Sequence, residues 1–381
     1  MTTTTLPGVR RGRSSASPLL HIDGVFVAST VMLAGLGVLM VFSASRGPGG
    51  PANPTVTSYL LKQTGFVVLG FAAMAFAAAI DYRRIRDLAP LVYGGTLFVL
   101  VAVLSPVGSA SKGAQAWFQV GPFQLQPSEF GKVAVILVLA AYVSRRDGDL
   151  QLRHLLTACV LAGVPMALIM LQPDLGTVLV FVAITTGILL VGGARPRHIL
   201  IVAIIGIAAV VGILNSNLLA QYQKDRLAGF LNPTADVRGS TYNIDQSQIT
   251  IGAGGVLGRG LFKGPQTRSG QVPEQQTDFI FTVVGEELGF VGAATVLFLY
   301  AVLLWRIWRT AKLSRDLFGS LLCVGVFAMI LFQLFESVGM TAGIMPVTGI
   351  PLPLMSYGGS ATVAEFIGLG LVLNVHMRRF A

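Results

Sequence analysis

The chain has 381 residues, of which 53% are hydrophobic and only 12% charged, with a mean hydropathy of +0.72. Soluble globular domains carry about 25% charged residues, so half that fraction excludes an ordinary soluble fold and points to the bilayer. The net charge of +10 gathers between apolar runs, which assigns it to membrane topology rather than to nucleic-acid binding.

In chain order, residues 1–20 are rich in Thr, Ser, Arg and Pro and read as a disordered cytoplasmic tail, followed by one membrane domain over 21–381. Apolar runs near or above the ~20 residues that span hydrocarbon recur at 24–44, 59–80, 88–105, 127–143, 155–172, 175–193, 198–217, 278–305, 317–340 and 356–376. The first is longer than a signal-peptide core and is followed by further spans, so it reads as an uncleaved helix. The pattern predicts an all-α integral membrane protein, a bundle of ten transmembrane helices. Clusters of Lys and Arg at 10–13, 83–86, 145–153, 195–197, 306–315 and 378–379 then fall on one side. The positive-inside rule makes that side, with both termini, cytoplasmic. Loops 45–58, 106–126 and 341–355 lie outside, and 218–277, between helices seven and eight, is a long extracellular loop. Cys159 and Cys323 sit inside apolar runs, and His21, His154, His198 and His376 stand singly. Neither set has disulfide or zinc-ligand spacing.

Ionisable groups in or beside membrane spans are costly and mark functional sites. Glu129 and Lys132 open the fourth span three residues apart, on one helical face; they read as a self-neutralising pair, as a polar wall of a substrate cavity, or as both. Asp174 follows Gln172-Pro173 at a helix start, where a carboxylate is favoured. Asp278 ends the outer loop before Phe279-Ile280-Phe281, as a helix cap or as a carboxylate able to take a proton from a hydroxyl nucleophile. Glu286, two turns deeper, lies near its face. The run Gly252-Ala253-Gly254-Gly255-Val256-Leu257-Gly258-Arg259-Gly260 lacks the ending of a P-loop. It reads as backbone that approaches a ligand closely, with Arg259, Lys263 and Arg268 as charge for an anion, or as a surface loop with solvated cations. The last outer loop, with Pro346, Pro351 and Pro353 before Ser356-Tyr357-Gly358-Gly359-Ser360, forbids regular helix and suits a re-entrant element beside a site.

Gln126-Pro127-Ser128-Glu129, Gln172-Pro173-Asp174-Leu175-Gly176-Thr177, Thr277-Asp278-Phe279-Ile280-Phe281 and Ser356-Tyr357-Gly358-Gly359-Ser360, in this order on ten spans, resemble the SEDS family (shape, elongation, division, sporulation) of bacterial cell-wall polymerases. The likeness runs from Met40 to the C-terminus. Met340 to Pro353 and residues 252–278 look more like its elongation branch, RodA, than its division branch, FtsW. The resemblance implies a multi-pass protein of the bacterial cytoplasmic membrane. Its activity would be an inverting glycosyltransferase that polymerises lipid II into β-1,4 glycan strands at the outer face, with undecaprenyl pyrophosphate leaving. The family's catalytic aspartate falls on Asp278, and its acidic/basic pair on Glu129 and Lys132. Substrate contacts are expected from Lys112, Arg259, Lys263, Ser356, Tyr357 and Ser360, and cavity structure from Asp174, Glu286, Pro346 and Pro351. A divalent cation (Mg or Mn) at the pyrophosphate is the one cofactor suggested, with no ligand set legible. A class B penicillin-binding protein transpeptidase and membrane lipid are the implied partners.

Three positions depart from the family pattern. Ala116 stands where arginine is frequent, which shifts any phosphate contact there to Lys112 or a loop cation. Ser337 replaces an asparagine, and Ala361 a second serine. Two other functions suit ten spans with intramembrane charge: a flippase or transporter of lipid-linked precursors, and a non-catalytic scaffold for a transpeptidase. Against transport, no matched pair of broken helices is legible.

Overall fold

In hydrocarbon an unpartnered backbone amide costs several kcal/mol, so an apolar run satisfies itself by coiling into a helix. The computed structural model describes residues 21–47, 54–111, 114–121, 123–146, 150–198, 200 and 240–379. Its elements are α1 (Gly24–Ser45), α2 (Pro54–Ala79), α3 (Tyr82–Val103), β1 (Ser109–Ser111), β2 (Ala114–Val120), β3 (Phe123–Leu125), α4 (Pro127–Ser144), α5 (Leu152–Met170), α6 (Leu175–Val191), α7 (Ser240–Gly254), α8 (Pro265–Ser269), α9 (Ile280–Lys312), α10 (Leu317–Thr341) and α11 (Gly359–Arg378). Nine of the ten expected spans are therefore helices. Eight are long and apolar enough to cross a membrane, and α6 is a shorter apolar helix. The tail 1–20, most of the run 198–217, the first part of the outer loop and Lys112 lie outside the described residues.

Carboxylates start several of these helices. Asp23, Asp81, Asp174 and Asp316 accept backbone amides of Phe26, Arg83, Thr177 and Gly319 at 3.1, 3.0, 3.0 and 2.7 Å, each cap contributing about 1 kcal/mol. The centre of the bundle belongs to α4 and α11, buried over 83% of their apolar windows, whereas α3, at 11%, faces outward along its length. Helix α11 also ends α2: Asn374 Nδ2 donates to Ala77 O at 2.7 Å, and the Arg378 guanidinium donates to Ala78 O and Ala79 O at 3.0 and 2.8 Å. These side chains meet carbonyls that a helix C-terminus leaves without donors.

Two connecting segments differ from expectation. Residues 106–126, read as a loop, contain an antiparallel sheet of order β1-β2-β3, turned at Gly121 with φ +59°. This sheet is held by backbone pairing, which no apolar alternation announces. The outer loop 218–277, where described, is partly helical. Its α7 packs on α9, with Ile251 lying over Gly285. Too few apolar residues mark α7 for its pattern to read as a helix.

Candidate active site

Asp278 sits where the chain leaves the segment 240–277 for α9. The carbonyl of Glu274 accepts the amides of Thr277, Asp278 and Phe279 at 3.1, 3.1 and 3.5 Å, closing a tight turn. Phe279 is buried in a small apolar cluster with Val272 and Val347. It also occupies the N-cap of α9 without a side-chain cap bond, so Asp278 is not the helix cap its sequence position allowed. The result is a half-buried carboxylate on an immobilised turn. The amide of Tyr357 donates to Gln276 O at 2.9 Å, which fastens the segment 343–358 to the same turn.

That segment is non-helical yet buried at Leu352, Leu354, Met355 and Ser356, which a membrane bundle tolerates only inside protein or along a cavity. Its polar groups are met from several sides. Thr348 Oγ1 donates to Glu336 at 2.9 Å, Gln63 Nε2 to Ser356 O at 3.2 Å, and the Leu354 amide to Glu365 Oε2 at 2.7 Å. The Tyr300 hydroxyl donates to Pro353 O. Pro346 and Pro351 are half-buried within it. Ser356 Oγ accepts the Leu352 amide at 2.9 Å, so this hydroxyl shapes the segment itself. Tyr357 lies edge-on to Tyr59, with ring centroids 4.9 Å apart.

The starts of α4, α6 and α11 meet beside this segment. Ser360 Oγ accepts the Gln126 amide at 2.9 Å, and Gln126 Nε2 donates to Asp174 Oδ2 at 3.2 Å. Asp174 also takes the Thr177 hydroxyl at 2.7 Å. Three helix starts thus gather at one place; the Asp174 carboxylate caps that of α6 and Glu129 lies in the first turn of α4, which leaves the start of α11 without a side-chain cap. One turn into α4, Lys132 Nζ lies 2.8 Å from Glu129 Oε2, the side chains 2% and 5% exposed. Glu365 of α11 is fully enclosed and within electrostatic reach of both.

The glycine-rich run approaches the chain's own backbone. Helix α9 breaks at Gly289 (φ 67°, ψ −165°), and the run docks into the break. Arg259 N and Gly260 N donate to the carbonyls of Glu286 and Glu287 at 2.9 and 3.0 Å, while Phe290 N and Val291 N donate back to Gly255 O and Val256 O at 2.9 and 3.1 Å. Both broken ends are satisfied this way. A Cβ at Gly258 (φ +81°) would lie 2.2 Å from Glu287 O, which is why glycine is required. Arg259 and Lys263 are exposed, and Arg259 Nε donates to Ala253 O of its own segment at 2.6 Å. Glu286 turns toward α8 rather than toward Asp278, accepting Gln266 N and Thr267 N at 2.7 and 2.8 Å. Among the described residues no group of three or more His, Cys, Asp or Glu side chains converges as a metal cage, so no step is assigned to a protein-held cation.

Residues 25–380 match the FtsW/RodA/SpoVE cell cycle protein model. The chain belongs to the FtsW/RodA/SpoVE family. It is 38% identical to stage V sporulation protein E of Bacillus subtilis, covering 93% of this chain and 96% of that protein. To peptidoglycan glycosyltransferase MrdB of Escherichia coli it is 36% identical, over 94% and 95%. Among solved structures it resembles a chain of a peptidoglycan synthase complex that coordinates polymerization and crosslinking (TM-score 0.80, 33% identity, 94% of this chain and 99% of that one). It also resembles the rod shape determining protein RodA of Thermus thermophilus (TM-score 0.70, 31% identity, 95% and 99%). Like the family, this chain is a multi-pass protein of the cytoplasmic membrane.

Reading the sequence of this FtsW/RodA/SpoVE protein overlooked Glu365, Glu336 and Gln333, all buried and polar within spans. The intramembrane-charge rule that marked Glu129 applies equally to the two glutamates. What hid them was the absence of a flanking motif.

Proposed function

We propose that the chain is a peptidoglycan glycosyltransferase that polymerises lipid II at the outer face of the membrane, in the cell-elongation role of RodA. Asp278 is its general base. The observation that carries this reading is a half-buried carboxylate on a turn fixed to both α9 and the buried segment 343–358, in a chain that matches the family over residues 25–380. The acceptor 4-hydroxyl attacks the anomeric carbon of the donor sugar as its proton passes to the Asp278 carboxylate. The α-linked undecaprenyl pyrophosphate leaves from the opposite face, giving a β-1,4 bond. The start of α11, which no side chain caps, suits the anionic leaving group. Glu129, Lys132 and Glu365 form the polar wall beneath, and Arg259 and Lys263 supply exposed positive charge.

Transport is less well supported. Among the described residues, the break in a spanning helix at Gly289 has its free amides and carbonyls taken up by the chain's own loop, so it offers no broken end to line a path. The similarity to a complex that couples polymerization to crosslinking supports a transpeptidase partner of the class B penicillin-binding type. The test is polymerisation of purified lipid II by the detergent-purified protein with that partner, wild type beside Asp278→Asn. Glycan strands from wild type and none from the variant are expected. Unchanged turnover in Asp278→Asn overturns the assignment of the base.

A further inference from the structure

Glu286 and Glu287 are adjacent, 0% and 1% exposed, and the chemistry above uses neither carboxylate. Carboxyl groups so deeply placed are retained only when hydrogen-bonded, and here the bonds come from residues 262–267 and from α1. Glu287 takes Ser43 Oγ at 2.5 Å and Phe262 N at 3.0 Å. Glu286 takes Gln266 N, Thr267 N and the Thr267 hydroxyl, the last at 2.6 Å.

The Thr267 bond continues as a directed relay. With its proton given to Glu286, Thr267 Oγ1 accepts Gln275 Nε2 at 3.3 Å, and the same amide donates to Thr282 Oγ1 at 3.0 Å. Thr282 in turn donates to Phe279 O at 2.7 Å. Thr267, Gln275 and Thr282 are all buried. The relay begins at a carboxylate on α9 and closes on both flanks of Asp278, at Gln275 before it and Phe279 after it.

We propose that Glu286, acting through Thr267, Gln275 and Thr282, is a positioning residue that holds the Asp278 turn in its reactive geometry. The docked glycine-rich run and α8 are the mount on which it does so. This rests on Asp278 being the base. Misplacing a reacting group by about 1 Å can cost about 10²-fold in rate, so a break in the relay acts on turnover more than on substrate binding.

The isolating variant is Thr267→Val. It keeps the backbone amide to Glu286 and the side-chain volume, and removes the hydroxyl that joins Glu286 to Gln275. Lipid II polymerisation is measured with the partner present, per folded partner-bound molecule, beside Thr267→Ser and Asp278→Asn. Expected is a kcat roughly 10- to 100-fold lower in Thr267→Val with KM within about threefold, and recovery in Thr267→Ser, which restores the hydroxyl. A kcat equal to wild type per folded molecule, even with a lower yield of folded protein, reduces the relay to a structural role and overturns the inference. A raised KM with kcat unchanged overturns it as well. If Thr267→Val does not fold, Gln275→Met breaks the relay at its next member and is read by the same outcomes. Turnover retained in Asp278→Asn removes the base and the positioning claim together. An inactive Asp278→Asn beside a fully active Thr267→Val removes only the positioning claim.

Discussion

Replacing Lys132 by methionine keeps most of the side-chain volume and removes the charge that Glu129 faces at 2.8 Å. At 2% and 5% exposure neither group can be rescued by solvent, and the enclosed Glu365 adds a second carboxylate within reach. Removing one partner of a buried ion pair costs about 3–5 kcal/mol, whereas replacing both by uncharged groups is often close to neutral. At the low end of the usual conversion for longer chains, about 2 °C per kcal/mol, the Lys132→Met melting temperature falls by roughly 6–10 °C. Adding Glu129→Gln to it restores most of that loss. The assay is thermal unfolding of detergent-purified wild type, both single variants and the double variant, with polymerisation measured on each. A coupling above about 2 kcal/mol marks an interacting buried pair. Polymerisation stays low in the double variant if the pair is also part of the cavity wall. A Lys132→Met protein as stable as wild type refutes the buried-pair reasoning, and full activity in the double variant refutes the wall.

Gly258→Ala forces a Cβ to within 2.2 Å of Glu287 O at φ +81°, where left-handed backbone alone costs about 1–2 kcal/mol. The run should then leave the α9 break, and trypsin should cut faster at exposed Arg259; unchanged cleavage and melting would show the run is not docked. Asp174→Ala should lose about 0.5–2 kcal/mol of cap, while Asp174→Asn keeps the cap and the activity. An inactive but stable Asp174→Asn would give Asp174 a part in substrate handling beyond capping. Asp278→Asn should insert, fold and bind its partner normally while making no glycan, which separates a lost base from a lost structure.

Composition and hydropathy alone determined that this is a helical membrane protein, because twenty apolar residues in hydrocarbon have one economical way to satisfy their backbone. The Pro173-Asp174 junction between α5 and α6 followed from the same constraint, whereas α2 and α3 start five and six residues before their expected runs and α9 ends seven after its own. Asp278, Glu129 and Lys132 were visible because charge beside a span is expensive. The sheet at β1–β3 was not, since it is held by backbone bonds that leave little trace in side-chain pattern. Nor was the use of Gly258: the sequence permits close approach, but only the fold shows the broken end of α9 as its neighbour. Glu286 looked like a companion of Asp278 by helical spacing, yet it turns to Thr267 because the break at Gly289 brings α8 against it. Helical periodicity tells which residues share a face, whereas hydrogen bonds between segments far apart in the chain depend on where the folded backbone brings them, and that is a property of the whole packing.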